Sequence, residues 1–243
     1  MSIRPASELS RRLTLFKHFQ SFWNAGSDLL FPPTCTVCSA RSPLRKGGIC
    51  APCDEQFYSP MELTVPGAEV ERARAIAAGF YEGPLRDLVL RVKFHADPRP
   101  LPLLKDFLRR ASDQLVRTLP TTIIAVPADR RRLRKRGVDL PALLAKDLAL
   151  HLRVPFERNI VRKVRATSAQ TSLDQKERRG NLEGAFEVVA DPAEQNILVV
   201  DDVFTTGATA GVVTELLLCS GAHAVIWATL ARTPLSLKVI EEP

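Results

Sequence analysis

One segment of the chain holds three ingredients of a phosphate site in the order that the chemistry needs. Residues 197–200 are Leu or β-branched, the pattern of a buried parallel strand, and Asp201 and Asp202 follow at its carboxyl end. A Thr-Thr-Gly-Ala-Thr turn at 205–209 then leads into an apolar run at 212–218 that predicts a helix. Ligands of open α/β sheets bind at this end of a strand, where the next helix offers unpaired N–H groups. The sequence therefore predicts a phosphate site in this turn.

The side chains of this segment suit a phosphorylated sugar. The threonine hydroxyls of the turn add hydrogen-bond donors, and Gly207 permits positive φ or a close approach of the backbone to an anion. Asp201 and Asp202 would repel a phosphate, so their expected partners are sugar hydroxyls or the water shell of a magnesium ion. A Walker-type loop is excluded because no Gly-Lys-Ser/Thr follows.

The segment resembles the binding motif of type I phosphoribosyltransferases. In those enzymes the paired acids hold the ribose hydroxyls of phosphoribosyl pyrophosphate, and the following loop binds the 5′-phosphate. The resemblance implies that Asp201 and Asp202 are catalytic and that magnesium accompanies the ligand. It also implies a binding loop formed by Val203, Thr205, Thr206, Gly207, Ala208 and Thr209.

Two CxxC pairs near the N-terminus predict a metal site. The pairs are separated by eleven residues, and the glycine pair 47–48 lets the second fold back on the first. Four thiolates at such spacing complete a tetrahedral zinc site without an open position, so the metal is expected to be structural. A disulfide interpretation would need an oxidising compartment. The predicted ligands are Cys35, Cys38, Cys50 and Cys53.

Length and charge restrict the classes of function. The 243 residues, 45% of them hydrophobic, can bury one good-sized core plus a small appendage. A net charge of +7 favours nucleic acid, phosphorylated metabolites or an acidic membrane surface as partners. We find neither a run of 18 apolar residues nor a good signal peptide, so we expect no membrane span and a cytoplasmic location.

The sequence predicts three units: an amphipathic helix within 1–30, a four-cysteine zinc ribbon within 31–60 and an α/β domain over 61–243. Leucine and aromatic residues recur at helical spacing in the first unit, which either docks on the body or forms an interfacial or DNA-contacting arm. In the third unit, strands alternate with helices, which predicts a doubly wound, mainly parallel sheet. The predicted strands are 73–81, 121–126, 185–189, 197–200 and 224–230. One helix is predicted to begin at Gly83, with an apolar face of Leu85, Leu88, Val89 and Val92, and the other helices span 101–116, 140–152 and 212–218.

A basic loop follows the predicted strand 121–126. It has six cations in the seven positions 130–136 and ends at Gly137. A charge run is usually a solvated surface, but this one lies at the same edge of the sheet as the phosphate turn. It would there bind pyrophosphate or, alternatively, the backbone of single-stranded DNA. The expected contacts are Arg131, Arg134, Arg136 and Gly137.

A second loop, 165–181, is polar and has no clear periodicity, which is typical of lids and binding loops. A cover that excludes water suits a reaction through a cationic sugar centre. The residues expected to close over the site are Arg165, Gln170, Arg178 and Asn181.

Together these segments resemble the ComF family, phosphoribosyltransferase-like proteins linked to natural competence and DNA uptake. The resemblance covers about residues 30–232 and implies a zinc ribbon before a type I phosphoribosyltransferase-like fold. Its further motifs are Tyr81-Glu-Gly83, Lys93-Phe94 and Gly184-Ala-Phe186. It implies phosphoribosyl pyrophosphate as a ligand, and single-stranded DNA or DNA-uptake proteins as partners. The alternative is a non-catalytic factor that handles single-stranded DNA, either by itself or with the sugar phosphate as a regulatory ligand.

The chain departs from the family pattern after the basic loop. The family's usual Arg-Gly-Phe-Asn-Gln reads Arg136-Gly137-Val138-Asp139-Leu140, which loses one aromatic residue and two amides. The departure lies on the side of the site where we expect pyrophosphate or an acceptor.

Overall fold

A computed structural model describes residues 32–69, 71–115, 119–129, 133–134, 137–165, 182 and 184–234, so the predicted helix within 1–30 lies outside the described residues. The helices are α1 (Ala51–Phe57), α2 (Gly83–His95), α3 (Leu101–Ser112), α4 (Leu140–Leu152) and α5 (Ala208–Cys219). The strands are β1 (Leu44–Arg45), β2 (Ile49–Cys50), β3 (Met61–Leu63), β4 (Ala73–Ala77), β5 (Thr122–Ala125), β6 (Val161–Lys163), β7 (Phe186–Val188), β8 (Asn196–Phe204) and β9 (Ala224–Arg232).

The central sheet of the described residues has the strand order β3-β4-β9-β8-β5. Strand β3 is antiparallel to β4, whereas the other neighbours are parallel. Strand β8 lies between β9 and β5, and residues 197–200 are buried on both faces of the sheet. This burial explains why the strand is a continuous apolar run instead of an alternating one. The mainly parallel sheet predicted from the sequence is confirmed.

Helices cover both faces of the sheet. On one face, Phe107 of α3 and Leu144 of α4 share a hydrophobic cluster with Leu198 of β8. On the other, Leu217 of α5 shares a second cluster with Val199. Alternate residues of one strand thus enter two cores, which is the doubly wound arrangement. Among the described residues, no helix has the length and apolar composition needed to cross a membrane.

Helix α2 agrees with its predicted pattern. Pro84 lies in the first turn, where its missing N–H group costs no helical hydrogen bond. The predicted apolar face is buried, and its residues are Leu85, Leu88, Val89 and Val92. The helix ends at Ala96, which has a left-handed φ of 50°, and its last turn carries Lys93.

Several predicted element boundaries differ from the structure. Strand β4 ends at Ala77 instead of residue 81. The polar stretch 60–69, which contains Pro and Gly, predicts a connector, but β3 lies within it. Strand β7 pairs with β6 and not with the central sheet. The sequence analysis missed β6, since three residues are too few to show an alternating pattern. Cys219 lies in the helix predicted after the phosphate turn, where a lone cysteine is expected to be a small buried apolar residue. That prediction is wrong, because the Cys219 side chain is exposed at the end of α5.

The cysteine-rich hairpin packs directly on α3. Gly47 has a φ of +85°, and a Cβ added there would lie 2.8 Å from Leu103 Cα. Arg110 of α3 is within 2.5 Å of the buried Asp54 carboxylate, which Arg45 also contacts at 2.8 Å. Burial opposes ionisation of Asp54, but its hydrogen bonds to both arginines lower its pKa overall. The hairpin and α3 therefore share a hydrophobic cluster and an ion-pair network. The division of the chain into units at residue 60 stays a prediction.

We expect Gly47→Ala to destabilise the protein by about 1–3 kcal/mol more than Gly83→Ala. Both glycines have positive φ, but of the two only Gly47 has a close neighbour where the new Cβ would lie; around Gly83 no atom of the described residues lies within 4 Å of that position. Denaturant unfolding monitored by circular dichroism measures the difference. Equal destabilisation by the two substitutions would show that the hairpin does not pack closely on α3.

Candidate functional site

A cavity of about 370 Å³ lies at the edge of the sheet where β5 and β8 end. Its wall includes Asp201 and Asp202 from β8 and Val126 and Pro127, which follow β5. Parallel strands bring their carboxyl ends to one edge, so segments far apart in the sequence meet there. The structure thus places the predicted acidic pair and the start of the predicted basic loop at one cavity.

The two carboxylates of the pair have different partners. Lys93 Nζ lies 2.7 Å from Asp202 Oδ2, and both side chains are largely buried. Asp201 Oδ1 accepts a hydrogen bond from the Asp202 backbone N–H at 2.8 Å. Burial and then the Asp202 charge raise the pKa of Asp201 to about 7, although Lys93 opposes the increase. The cavity therefore contains one firmly paired carboxylate and one that exchanges its proton near neutral pH.

The turn after β8 is tightly packed before α5 begins. Gly207 has a φ of 76°, and a Cβ there would lie 2.7 Å from the Phe204 ring and 2.8 Å from Pro66 Cδ. Both the conformation and the packing therefore require glycine. Thr205, Gly207 and Thr209 line the cavity, next to the N-terminal turn of α5 with its unpaired N–H groups.

The other predicted residues of this turn take different positions. Val203 lines the cavity, whereas Thr206 and Ala208 do not. Thr206 Oγ1 is buried and has no hydrogen-bond partner among the described residues. A buried hydroxyl without a partner costs free energy, so the oxygen atom of a bound ligand or water would stabilise it.

The basic loop borders the cavity where the structure describes it. Leu133 lines the cavity, and its N–H donates to the Asp129 carbonyl at 2.8 Å. Arg134 is exposed, and Gly137, with a φ of 73°, donates its N–H to the Leu133 carbonyl at 2.8 Å. Leu133 and Gly137 thus each donate to the carbonyl four residues earlier, the hydrogen-bond spacing of an α-helix. The predicted contacts Arg131 and Arg136 lie outside the described residues.

The segments that flank the predicted lid also border the cavity. Lys163 of β6 and Phe186 of β7 line it, with Lys163 Nζ 5.6 Å from the centre of the Phe186 ring. Leu182 lines it as well. Arg165 lies two residues after Lys163, the last residue of β6, but it is not itself among the residues that line the cavity. The predicted lid residues Gln170, Arg178 and Asn181 lie outside the described residues.

The fold brings to this cavity four charged residues for which the sequence predicted no role: Lys93, Asp129, Asp139 and Lys163. The signal for Lys93 was present, because Lys93-Phe94 belongs to the family pattern. Asp139 was noted only as a departure from that pattern. It caps α4, since its Oδ1 accepts the Ala142 N–H at 3.2 Å, which an asparagine would do equally well. The departure at Asp139 thus keeps the cap and adds a negative charge.

The four predicted metal ligands lie together. Their Sγ atoms are all within 4.8 Å of one another, and Cys38 Sγ is 3.7 Å from Cys50 Sγ. Sulfur atoms at about 2.3 Å from a tetrahedral zinc ion are separated by about 3.8 Å. The cluster could therefore hold a metal such as zinc, and the cysteines that form it are Cys35, Cys38, Cys50 and Cys53.

The pKa values of two of these thiols are shifted in opposite directions. Burial opposes it at Cys35, but hydrogen bonds from backbone N–H groups, that of Cys50 among them, lower the pKa of Cys35 to about 6. Burial and hydrogen bonds with the neighbouring thiols raise the pKa of Cys53. Four thiolates this close together need a cation to offset their mutual repulsion, so metal binding would release protons.

The doubly wound sheet and the acid pair before a Thr-Gly turn define the phosphoribosyltransferase class of fold. The family described as phosphoribosyl transferase domain matches residues 141–243. Among solved structures, the purine phosphoribosyltransferase from Pyrococcus horikoshii is 21% identical, with a TM-score of 0.38; the alignment covers 56% of this chain and 79% of that one.

Relatives identify the family within this class. Competence protein F of Haemophilus influenzae is 30% identical over 221 residues, which cover 82% of this chain and 96% of the relative. DNA utilization protein YhgH of Escherichia coli K12 is 30% identical over 228 residues, which cover 84% of this chain and 99% of the relative. The chain belongs to the ComF family.

We expect Asp201→Asn to become progressively more stable than the wild type as the pH rises from about 4 to 8. The pKa of Asp201 is near 7 in the folded protein and near 3.9 in the unfolded chain, so the folded state binds this proton more tightly. The wild-type protein therefore loses stability as the pH rises between these two values. Asparagine keeps the acceptor for the Asp202 N–H but does not ionise. Over this pH range, the difference in the free energy of unfolding between Asp201→Asn and the wild type should grow by about 1–3 kcal/mol.

Urea unfolding at a series of pH values measures this effect. Asp191→Asn is the matched control, since Asp191 is exposed and also accepts a backbone N–H, from Ala193. A constant difference between Asp201→Asn and the wild type across the range would contradict the prediction.

Proposed function

We propose that this protein binds the magnesium complex of phosphoribosyl pyrophosphate. The observation that carries the proposal is one cavity that joins the acidic pair at the end of β8 to the Thr-Gly turn before α5. Asp201 and Asp202 would accept hydrogen bonds from the ribose hydroxyls. The turn at 205–209 would bind the 5′-phosphate through its hydroxyls and the unpaired N–H groups of α5.

Binding of this ligand would change the protonation state of Asp201. Hydroxyl donors stabilise the ionised carboxyl group, so binding of a ribose would lower the pKa of Asp201 from about 7 and release a proton. A phosphate placed on the same pair would instead be repelled, which gives the ligand one orientation in the cavity. The sugar lies on the acids, and the phosphate lies on the turn.

The pyrophosphate end would lie toward the basic loop and the lid. The described part of that loop borders the cavity at Leu133, and Lys163 lines the wall on the side of the lid. Cations there would offset the charge of the pyrophosphate together with magnesium. The residues proposed for this role are Arg131, Arg134, Arg136 and Gly137, with Arg165, Gln170, Arg178 and Asn181 closing over the ligand.

The site would support transfer of the phosphoribosyl group to an acceptor. The bond between the anomeric carbon and pyrophosphate breaks, pyrophosphate leaves with the electron pair, and the acceptor forms the new bond. Positive charge at the anomeric carbon would be stabilised by Asp201 and Asp202, while cations stabilise the leaving group.

A second candidate function is handling of single-stranded DNA. The names of the two relatives refer to competence and to DNA utilization. The chain has a net charge of +7, with six cations in the positions 130–136. Phosphate backbones bind such runs without regard to sequence. On this view the protein serves DNA uptake, and the sugar phosphate acts as its regulatory ligand.

We expect calorimetric titration of the zinc-loaded protein with phosphoribosyl pyrophosphate to show binding that requires magnesium. The variant Asp201→Asn/Asp202→Asn should bind at least about tenfold more weakly, because the ribose hydroxyls lose two charged acceptors. Asp87→Asn/Asp191→Asn is the matched control, since it removes two exposed carboxylates and should bind as the wild type does.

Absence of binding to the wild type would refute the proposed ligand. DNA binding measured on the same proteins then separates the two candidate functions. Handling of DNA without the sugar should survive in Asp201→Asn/Asp202→Asn, whereas a function gated by the sugar phosphate should fail in that variant.

We further propose that the cysteine cluster holds one structural zinc ion and that the protein resides in the reducing cytoplasm. The described cysteines are thiols, and four sulfur ligands leave zinc no open position for a substrate. The cluster also shares a hydrophobic core with α3 through Cys50 and Phe107. Zinc would therefore stabilise the body of the protein as well as the hairpin.

Removal of zinc by a chelator should lower the melting temperature and release about one equivalent of metal per chain, because the freed thiolates repel one another. Cys53→Ser should reproduce the loss of metal and of stability. Cys219→Ser is the matched control, since Cys219 is exposed and lies outside the cluster. Full zinc content in Cys53→Ser, measured by atomic absorption, would refute the assignment.

A further inference from the structure

Lys93 occupies one side of the acidic pair. Its Nζ lies 2.7 Å from Asp202 Oδ2, and the two side chains are 16% and 13% exposed. Lys93 is in the last turn of α2, where the helix dipole favours a cation. The ion pair joins a helix and a strand that are separated by more than 100 residues of the chain. The tertiary structure, and not local sequence, therefore directs this ammonium group to the carboxylate.

Without Lys93, the described wall of the cavity would attract cations. It contains four carboxylates, from Asp129, Asp139, Asp201 and Asp202. Magnesium binds carboxylate oxygens at about 2.0–2.1 Å. An ammonium group at hydrogen-bond distance from Asp202 Oδ2 occupies one acceptor position on that oxygen, and its positive charge repels a dication nearby.

The ion pair between Lys93 and Asp202 does not prevent a sugar hydroxyl from binding to Asp202. A carboxylate accepts about four hydrogen bonds, and Lys93 uses one of these positions on Asp202. A hydroxyl is neutral, so it is not repelled by the ammonium group. The pair therefore retains acceptors for hydroxyl groups while a dication is disfavoured.

We propose that Lys93 makes the acidic pair selective for sugar hydroxyls over divalent cations, so that magnesium enters the cavity only on the pyrophosphate of the incoming ligand. Lys93 is then a residue that determines the ligand specificity of the acidic pair. The exclusion of the metal rests on the geometry of the ion pair, whereas the identity of the incoming ligand rests on the function proposed above.

The test is a titration of the zinc-loaded, full-length protein with Mn²⁺, followed by electron paramagnetic resonance of the free ion, without any sugar phosphate. Lys93→Gln removes the charge and keeps a hydrogen-bond donor, so we expect it to bind Mn²⁺ at least about tenfold more tightly than the wild type. Lys93→Arg retains the cation and should bind as weakly as the wild type. In Lys93→Gln/Asp202→Asn, the gain in Mn²⁺ affinity should disappear.

Lys163→Met is the matched control, because it removes one positive charge from the same cavity. It should leave Mn²⁺ affinity at the wild-type level; an equal gain would mean that net charge, and not the contact with Asp202, excludes the ion. Equal Mn²⁺ affinity of Lys93→Gln and the wild type would also overturn the proposal. A purely structural role for Lys93 predicts that result, with only a lower melting temperature in the variant.

The titration separates this proposal from the proposed function. Mn²⁺ binding is measured without phosphoribosyl pyrophosphate, so failure of the wild type to bind that ligand refutes the function but not the role of Lys93. If Lys93→Gln is unfolded at the titration temperature, Lys93→Gln/Asp201→Asn keeps Asp202 and relieves the repulsion between the two carboxylates. It should then bind Mn²⁺ more tightly than Asp201→Asn, and equal affinity of these two would overturn the proposal.

Discussion

Burial of β8 on both faces of the sheet is the constraint on which the site depends. Its residues 197–200 divide between two hydrophobic clusters, so a shift of register by one residue would exchange the two sets of side chains. Both cores therefore hold the strand in place. The same register determines where Asp201 and Asp202 emerge and where the turn to α5 begins. Packing far from the cavity thus sets the positions of the groups within it.

Charge balance is the second constraint, and it comes from distant parts of the chain. Two adjacent carboxylates in a buried position repel each other and lose hydration, which is why the pKa of Asp201 is raised. Lys93 offsets part of this cost, while Asp139 adds to it from the cap of α4. The cavity therefore retains an acidic pair that destabilises the fold, as is common where a site must meet a ligand of defined charge.

The cysteine-rich hairpin is built into the same structure. Gly47 brings it against α3, and Arg110, which is partly exposed, links α3 to the buried Asp54 carboxylate through an ion pair. Breaking one partner of such a pair leaves an uncompensated charge, so the contact specifies how the hairpin and α3 fit together. Helix α3 belongs to the cluster that includes Leu198 of β8. The cysteine cluster and the cavity are thus connected through one continuous core.

The sequence by itself determined the features that local chemistry controls. The apolar strand before Asp201, the glycine at 207, the buried face of α2 and the CxxC pairs were all readable, because backbone conformation, burial periodicity and ligand spacing leave local patterns. The tertiary structure decided which distant groups meet. Lys93, Asp139 and Lys163 come to the cavity from two helices and a short strand, and β7 pairs with β6 instead of joining the central sheet. Such pairings depend on the packing of whole elements, which no local window of the sequence contains.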